Sequence, residues 1–370
     1  MIYFDNAATT FPKPQSVIDS VTRCLREYCG NPGRSAHYLA LKTAERVYEA
    51  RETVAKHLGI DSPESVCFTS GATLSLNVAI KCSIKDKCHC IISDCEHNSV
   101  IRPLYKLKSN LGIEFDTFNS DKDIYKEIDN LVRTDTRFLI STLSSNVTGK
   151  TIPIEALYDI SKKHGLTLIT DASQALGHIK IDLNRTPANI LCGPGHKGLF
   201  GIQGVGIMVI TDKDARDTLL EGGSGSDTLN PEMPLVLPER YEAGTIPTPG
   251  IVSLISGIEF IESIGLDEIS NKLNQMTQKA KDILTSFDNI KVYGAENGII
   301  SFNASNIPSY TFATRLDNMG FCVRGGLHCA PPIHEKLGTI SSGAVRISLS
   351  FLNSIGQIDK LYTALRDLFK

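Results

Sequence analysis

A series of short apolar runs, each closed by small or polar residues, constrains this chain more than any other feature: SVCFTSG, HCIISDCEHN, FLISTLSSN, LTLITDASQ, NILCGPGHK and VGIMVI. Helical patterns lie between several of them, for example 154–164 (IEALYDISKKH). An amphipathic helix over 41–58 comes before them, with Leu41, Ala44, Val47, Tyr48, Arg51, Val54, Ala55 and Leu58 at helical spacing and Gly59 as its stop. Strands alternating with helices predict an α/β fold whose mainly parallel sheet is covered on both faces. In such sheets ligands gather at the carboxyl ends of the strands. The polar residues that close the runs are therefore where a site is to be sought.

A Pro/Gly-rich stretch at 230–250 interrupts the alternation. Beyond it, 251–288 reads as a long helix, followed by short strands near 290–303, 321–324 and 344–349 and a last helix near 355–369. This pattern divides the chain into a large unit, 1–250, and a smaller α+β unit, 251–370. No internal repeat is present. Net charge is -3, which argues against nucleic acid or an anionic membrane as a partner. No apolar run approaches the roughly 20 residues a membrane span needs. The opening Met-Ile-Tyr-Phe-Asp-Asn lacks a basic region followed by an apolar stretch, so a cytoplasmic location is expected.

Ten cysteines are spread along the chain and are expected to be reduced. Cys82, Cys88, Cys90 and Cys95 crowd one segment with His89 and His97, but not as paired C-x-x-C units. Packing around a buried strand at 90–93 is the expectation, and no metal.

The constellation with most chemical content sits on three successive strand ends: Asn146 in SSNVTGK, Asp171 with Gln174 in TDASQ, and His196-Lys197 in GPGHK. A lysine that can hold an aldehyde as a Schiff base, with an acid that keeps a pyridine nitrogen protonated, is what pyridoxal 5'-phosphate (PLP) chemistry requires. An aspartate closing an apolar strand is desolvated unless a cation faces it. Taken singly, Asp171 reads as a helix cap and Lys197 as a solvated loop lysine. Together and in this order they do not.

On these residues, and on YFDNAATT, DASQALGH, GPGHK, EAGT, RGGLHCAPP and VRISLSFLN, the chain resembles the class V aminotransferase family and, within it, the cysteine desulfurases. The likeness covers nearly the whole length. It implies the PLP-dependent transferase fold (aspartate aminotransferase-like), mainly parallel in a large domain, with a small α+β C-terminal domain. It also implies a homodimer whose sites borrow residues across the interface, and an N-terminal arm, 1–14, that contacts the small domain. By resemblance Lys197 is the Schiff-base lysine, Asp171 the partner of the pyridine nitrogen, Gln174 the partner of the phenolic oxygen, and His97 the histidine stacked on the ring. The phosphate falls to Ala72 and Thr73 at a helix start, to His196, and to Thr245 of the partner subunit. The sequence departs from the family at Pro194, where a serine is usual; proline offers neither hydroxyl nor N–H.

Cys329 separates desulfurase from aminotransferase chemistry. A thiolate that takes sulfur from bound cysteine needs mobility and positive charge nearby. Gly325 and Gly326 are expected to supply flexibility, and Arg324 and His328 charge. Arg346 matches the arginine that pairs the substrate carboxylate, since a planar guanidinium binds that group in two-pronged fashion. Asn146 is expected at the carboxylate or the ring oxygen, and Arg34 to reach across the dimer.

The resemblance implies removal of sulfur from L-cysteine to give L-alanine and a persulfide on Cys329, with a sulfur-acceptor protein or small thiol completing turnover. The compact segment around Cys329 resembles the Suf-type desulfurases and selenocysteine lyases, departing from them at Leu327, where a second histidine is common. L-selenocysteine as substrate is the nearest alternative. Another is an aminotransferase or lyase of this family with Cys329 idle, which predicts amino transfer to a keto acid. A sulfur-relay or binding module without turnover is a third, and absence of bound PLP would favour it.

Overall fold

The computed structural model describes residues 1–33, 35–212 and 216–369. After a short opening strand, β1 (Ile2–Tyr3), seven strands form the main sheet: β2 (Val66–Thr69), β3 (His89–Ser93), β4 (Glu114–Phe118), β5 (Thr136–Thr142), β6 (Thr167–Asp171), β7 (Ile190–Pro194) and β8 (Gly206–Ile210). Their order across the sheet is β2-β8-β7-β6-β5-β3-β4. The pairs β3/β4, β3/β5, β5/β6 and β6/β7 are parallel, whereas β8 runs against both its neighbours. Every apolar run read above is a strand. β4 escapes that reading because EFDTF is mostly exposed at the sheet edge and carries no apolar run.

Side chains along the strands alternate between two cores. Ile91, Leu139, Leu168, Leu191 and Val209 enter one; Cys90, Ile92, Ile140, Ile169, Ile190 and Met208 enter the other. Full burial of each Leu or Ile contributes about 2 kcal/mol, and covering both faces is what makes the strands apolar throughout. Cys82, Cys88 and Cys90 pack in the second core and Cys95 in the first. Among the described residues no three His, Cys, Asp or Glu side chains converge as a metal site would require.

Five further strands follow: β9 (Ile290–Glu296), β10 (Ile299–Ala304), β11 (Phe321–Cys322), β12 (Arg324–Gly326) and β13 (Ala344–Ser348). Four make an antiparallel sheet of order β12-β13-β10-β9. The other, β11, pairs in parallel with β1, which ties the first residues of the chain to its last third. The long helix expected over 251–288 is two helices, Thr248–Ile264 and Leu266–Thr285, bent by 79°. The break falls at Gly265, whose φ of +91° suits glycine alone. The first helix is largely buried and packs on helices Gln15–Glu27 and Tyr38–His57; the second buries one face through Ile269, Leu273, Met276, Ala280 and Leu284. Among the described residues no single helix is long and apolar enough to cross a membrane.

Candidate active site

Parallel strands place their carboxyl ends along one edge of the sheet. The segments that follow β2, β3, β5, β6 and β7 therefore meet there, around a cavity of about 280 Å³. Its walls include Ala72 and Thr73 after β2, His97 and Ser99 after β3, Asn146 after β5, Asp171 and Gln174 from β6, and Pro194, His196 and Lys197 from β7.

Close backbone approach brings the last two groups together. A Cβ on Gly177 would lie 2.2 Å from the carbonyl oxygen of Gly198, and one on Gly198 would lie 2.1 Å from that of Leu176. Glycine at both positions lets the turn after Asp171 and the segment carrying Lys197 touch main chain to main chain. The N-terminal arm clamps the same segment from outside: the Thr10 hydroxyl donates to the Lys197 carbonyl at 2.8 Å, and Lys13 Nζ to the His196 carbonyl at 2.8 Å. Burial pushes the Lys197 amine down to about 8, against the opposing pull of Asp171. Asp171 is itself buried, and its Oδ1 accepts from Ser173 N at 2.8 Å. Gln174 donates one amide hydrogen to the Ala7 carbonyl at 3.0 Å, which leaves its second hydrogen and its oxygen for another partner.

Helix Ala72–Ser83 starts at the cavity wall, its first amides turned out by Gly71 at φ +148°. Thr73 Oγ1 lies 2.9 Å from Ser99 Oγ, which in turn lies 2.9 Å from His97 Nδ1. His97 caps helix Asn98–Leu111, its Nδ1 accepting from Ser99 N at 3.1 Å. That bond places the ring proton on Nε2. Burial pushes His97 down to about 4, so the ring is neutral at physiological pH. His196 is likewise pushed down to about 4 by burial, then by Lys197 and Lys13, and its Nδ1 is buried without a partner. An amine of lowered basicity, a buried carboxylate, a neutral ring and unpaired donors at a helix start fit an anionic aromatic cofactor such as PLP.

Cys329 and Arg346 stand beside the cavity rather than in its wall. Cys329 is exposed, at φ +57°, with Arg324 Nη2 4.0 Å from its Sγ. Its turn is docked on the cavity's own residues: Asn98 N donates to the Cys329 carbonyl at 2.7 Å, and Asn146 Nδ2 to the His328 carbonyl at 2.8 Å. Two expectations fail here. Gly325 and Gly326 do not loosen the approach; they lie in β12, where a Cβ on Gly325 would come within 2.6 Å of the Ser309 carbonyl oxygen. Their smallness serves packing. His328 supplies no charge either, because burial and then Arg346 push it down to about 2. Arg346 is buried, bonded to Asp5 Oδ1 at 2.7 Å and to the Asn146 carbonyl at 2.9 Å, with its Nε unpartnered.

The model of the family described as "Aminotransferase class-V" matches residues 2–361. The chain belongs to the class V aminotransferase family. It is 30% identical to the "Probable cysteine desulfurase" of Methanothermobacter thermautotrophicus, over 99% of this chain and 94% of that one. It is 28% identical to the "Cysteine desulfurase" of Escherichia coli O8, over 100% of this chain and 94% of that one. The solved apo structure of the cysteine desulfurase from Thermococcus onnurineus NA1 matches with a TM-score of 0.91 at 28% identity, covering 99% of this chain and 94% of that one.

In this class V aminotransferase-family chain, most residues singled out from the sequence line one cavity: Ala72, Thr73, His97, Asn146, Asp171, Gln174, His196 and Lys197. Thr245 does not. It is exposed on the loop after Glu242, its hydroxyl 3.4 Å from Asn31 Nδ2. Arg34 lies outside the described residues. Sequence reading missed Asp5, Thr10, Lys13, Glu96 and Ser99. The signal for Asp5 and Thr10 was the polar cluster DNAATT directly behind an apolar pair; for Glu96 and Ser99 it was their place on either side of His97.

Proposed function

We propose that this chain is a PLP-dependent cysteine desulfurase, transferring the sulfur of L-cysteine to Cys329 and releasing L-alanine. The relatives support the reaction class, and one observation carries the residue assignment. The turn bearing an exposed thiol beside Arg324 is hydrogen-bonded to Asn98 and Asn146, at the rim of the cavity that holds Lys197 and Asp171.

Lys197 would hold the cofactor by its aldehyde, with Asp171 at the pyridine nitrogen and Gln174 at the phenolic oxygen. Thr73, the amides at the start of helix Ala72–Ser83, and His196 would take the phosphate. Pro194 brings no hydroxyl to that wall, whereas Ser70 and Ser99 do. When bound, the cofactor supplies the electron sink that labilises the substrate's Cα proton and weakens its Cβ–S bond. Lys197 Nζ, with a pKa near 8, is a base matched to taking that proton. Neutral His97 would cover the cofactor ring without adding charge. Arg346 receives the substrate carboxylate, and its bond to Asp5 keeps the guanidinium in place beforehand.

Cys329 then attacks the substrate sulfur. An S–S bond forms and the Cβ–S bond breaks with its electron pair left on carbon, where a proton completes alanine. Atoms balance: thiol plus cysteine gives persulfide plus alanine, with no outside oxidant. A sulfur-acceptor protein or a small thiol must regenerate Cys329. The working assembly is a homodimer in which Thr245 of the partner subunit completes the phosphate site.

Mass spectrometry of the Cys329 peptide after incubation with L-cysteine tests the reading. One added sulfur atom, with alanine released, is expected. Unmodified Cys329, or wild-type sulfide release by C329S, would sink the persulfide step. Loss of the visible cofactor band in K197A checks the cofactor assignment separately.

A further inference from the structure

His328 and Cys329 are neighbours in left-handed backbone conformations, at φ +50° and +57°, which residues with a side chain rarely adopt. Their carbonyls are anchored by Asn146 and Asn98, but the His328 ring is held differently. Its Nδ1 lies 3.3 Å from His334 Nε2, the two rings stacked at 20°. His334 Nδ1 lies 2.8 Å from Thr339 Oγ1. At the other end His328 Nε2 faces the Arg324 carbonyl at 3.4 Å. His328, His334 and Thr339 are all buried.

Only one arrangement of protons satisfies all three ring contacts with neutral rings. A carbonyl can only accept, so His328 must carry its proton on Nε2 and leave Nδ1 as an acceptor. His334 must then donate from Nε2 and accept at Nδ1, where the Thr339 hydroxyl is the donor. The Thr339 hydroxyl also lies 3.4 Å from the His334 carbonyl, but that oxygen already accepts from Thr339 N at 2.8 Å and the ring contact is the shorter, so the hydroxyl proton goes to the ring. The reverse direction leaves the His328 Nε2 lone pair against the Arg324 carbonyl. Only a protonated His328 would repair that, and burial with Arg346 and Arg324 nearby opposes it.

We infer that His334 and Thr339 are positioning residues for Cys329. A one-way chain runs from the Thr339 hydroxyl to His334, from His334 to His328, and from His328 to the Arg324 carbonyl. It fixes both rings in the Nε2–H form and ties the Cys329 turn to the residue whose guanidinium stands 4.0 Å from Sγ. The inference rests on Cys329 being the nucleophile; His334 reaches the His328 ring from the following helix, Pro331–Lys336.

Two measurements on the holoenzyme test it, and neither uses desulfurase turnover, so each stays readable if the desulfurase reading fails. Long-range ¹H–¹⁵N spectra of histidine-labelled protein should show His328 and His334 neutral with the proton on Nε2. An Nδ1–H form of either ring overturns the chain. Alkylation of Cys329 by iodoacetamide, followed on its own peptide, should slow about fivefold in T339V, the weight of one hydrogen bond in an equilibrium, and recover in T339S. Equal rates in the wild type and T339V, or no recovery in T339S, remove the positioning role. Should T339V fail to fold, the wild-type spectrum decides alone.

Discussion

Glu96, one residue before His97, is fully buried; its Oε1 accepts from Thr142 N at 2.8 Å and from the Ser93 hydroxyl, while Oε2 finds no partner. Burial pushes this carboxyl up to about 8. A group whose folded pKa is raised contributes stability that is complete below its unfolded pKa and is lost as pH rises through the folded one. Here that window runs from about 4.3, the unperturbed glutamate value, to about 8. E96Q keeps the accepting oxygen and cannot ionise. It should match the wild type near pH 4, gain on it by about 1.4 kcal/mol per pH unit through that window, and hold a constant lead above pH 8, read from denaturant unfolding across that range. Asp5 is a second case. D5N removes the carboxylate facing buried Arg346, and a bond to a charged group is worth about 2 kcal/mol. The variant should unfold earlier by that amount and change KM for cysteine more than kcat. That Lys197, Asp171, Gln174 and His97 share one cavity was legible, the first three from successive strand ends and His97 from the resemblance. Asp5 and Glu96 were not, since their partners lie across the fold or in the main chain.

Elements whose apolar runs are buried on both faces were read correctly, namely β2, β3 and β5 to β8, because covering both faces leaves an unbroken hydrophobic signature. Edge strand β4 and the break at Gly265 have no such signature: one is solvated, and the other interrupts a pattern that continues on both sides. The glycines of β12 show the same limit. A pair of glycines before a cysteine reads as a hinge, whereas in the fold β12 is pressed against helix Ser309–Asn318, with no room for a methyl group at Gly325. G325A should therefore push β12 off that helix and cost about 1–3 kcal/mol, the usual range for overpacking. G356A, at a position with nothing within 4 Å, is the control and should leave the unfolding midpoint unchanged or raised. A hinge at Gly325 predicts instead that G325A slows sulfur transfer without altering stability.

At the scale of the whole molecule, one chain leaves its site short of a predicted part. Thr245 sits outside the cavity, on a loop whose base is fixed by the buried pair Arg51–Glu242, with Glu242 also accepting from Phe68 N at 2.6 Å. Nearby, Ile18, Leu25, Tyr38, Leu39, Leu41 and Tyr48 are exposed on helices Gln15–Glu27 and Tyr38–His57, apolar side chains that a second copy would cover. The proposed homodimer explains both features and predicts a mass of twice 40.4 kDa by light scattering. It also predicts subunit complementation. K197A chains have no amine in their cavity, and T245V chains donate no hydroxyl to their partner. In a mixed dimer, the cavity of the T245V chain keeps Lys197 and receives Thr245 from the K197A chain, so one complete site is restored. Co-expressed, separately tagged chains should then release alanine from cysteine faster than either homodimer. If Thr245 served its own chain, the mixed dimer would hold one cavity without the lysine and one without the threonine, and mixing would restore nothing.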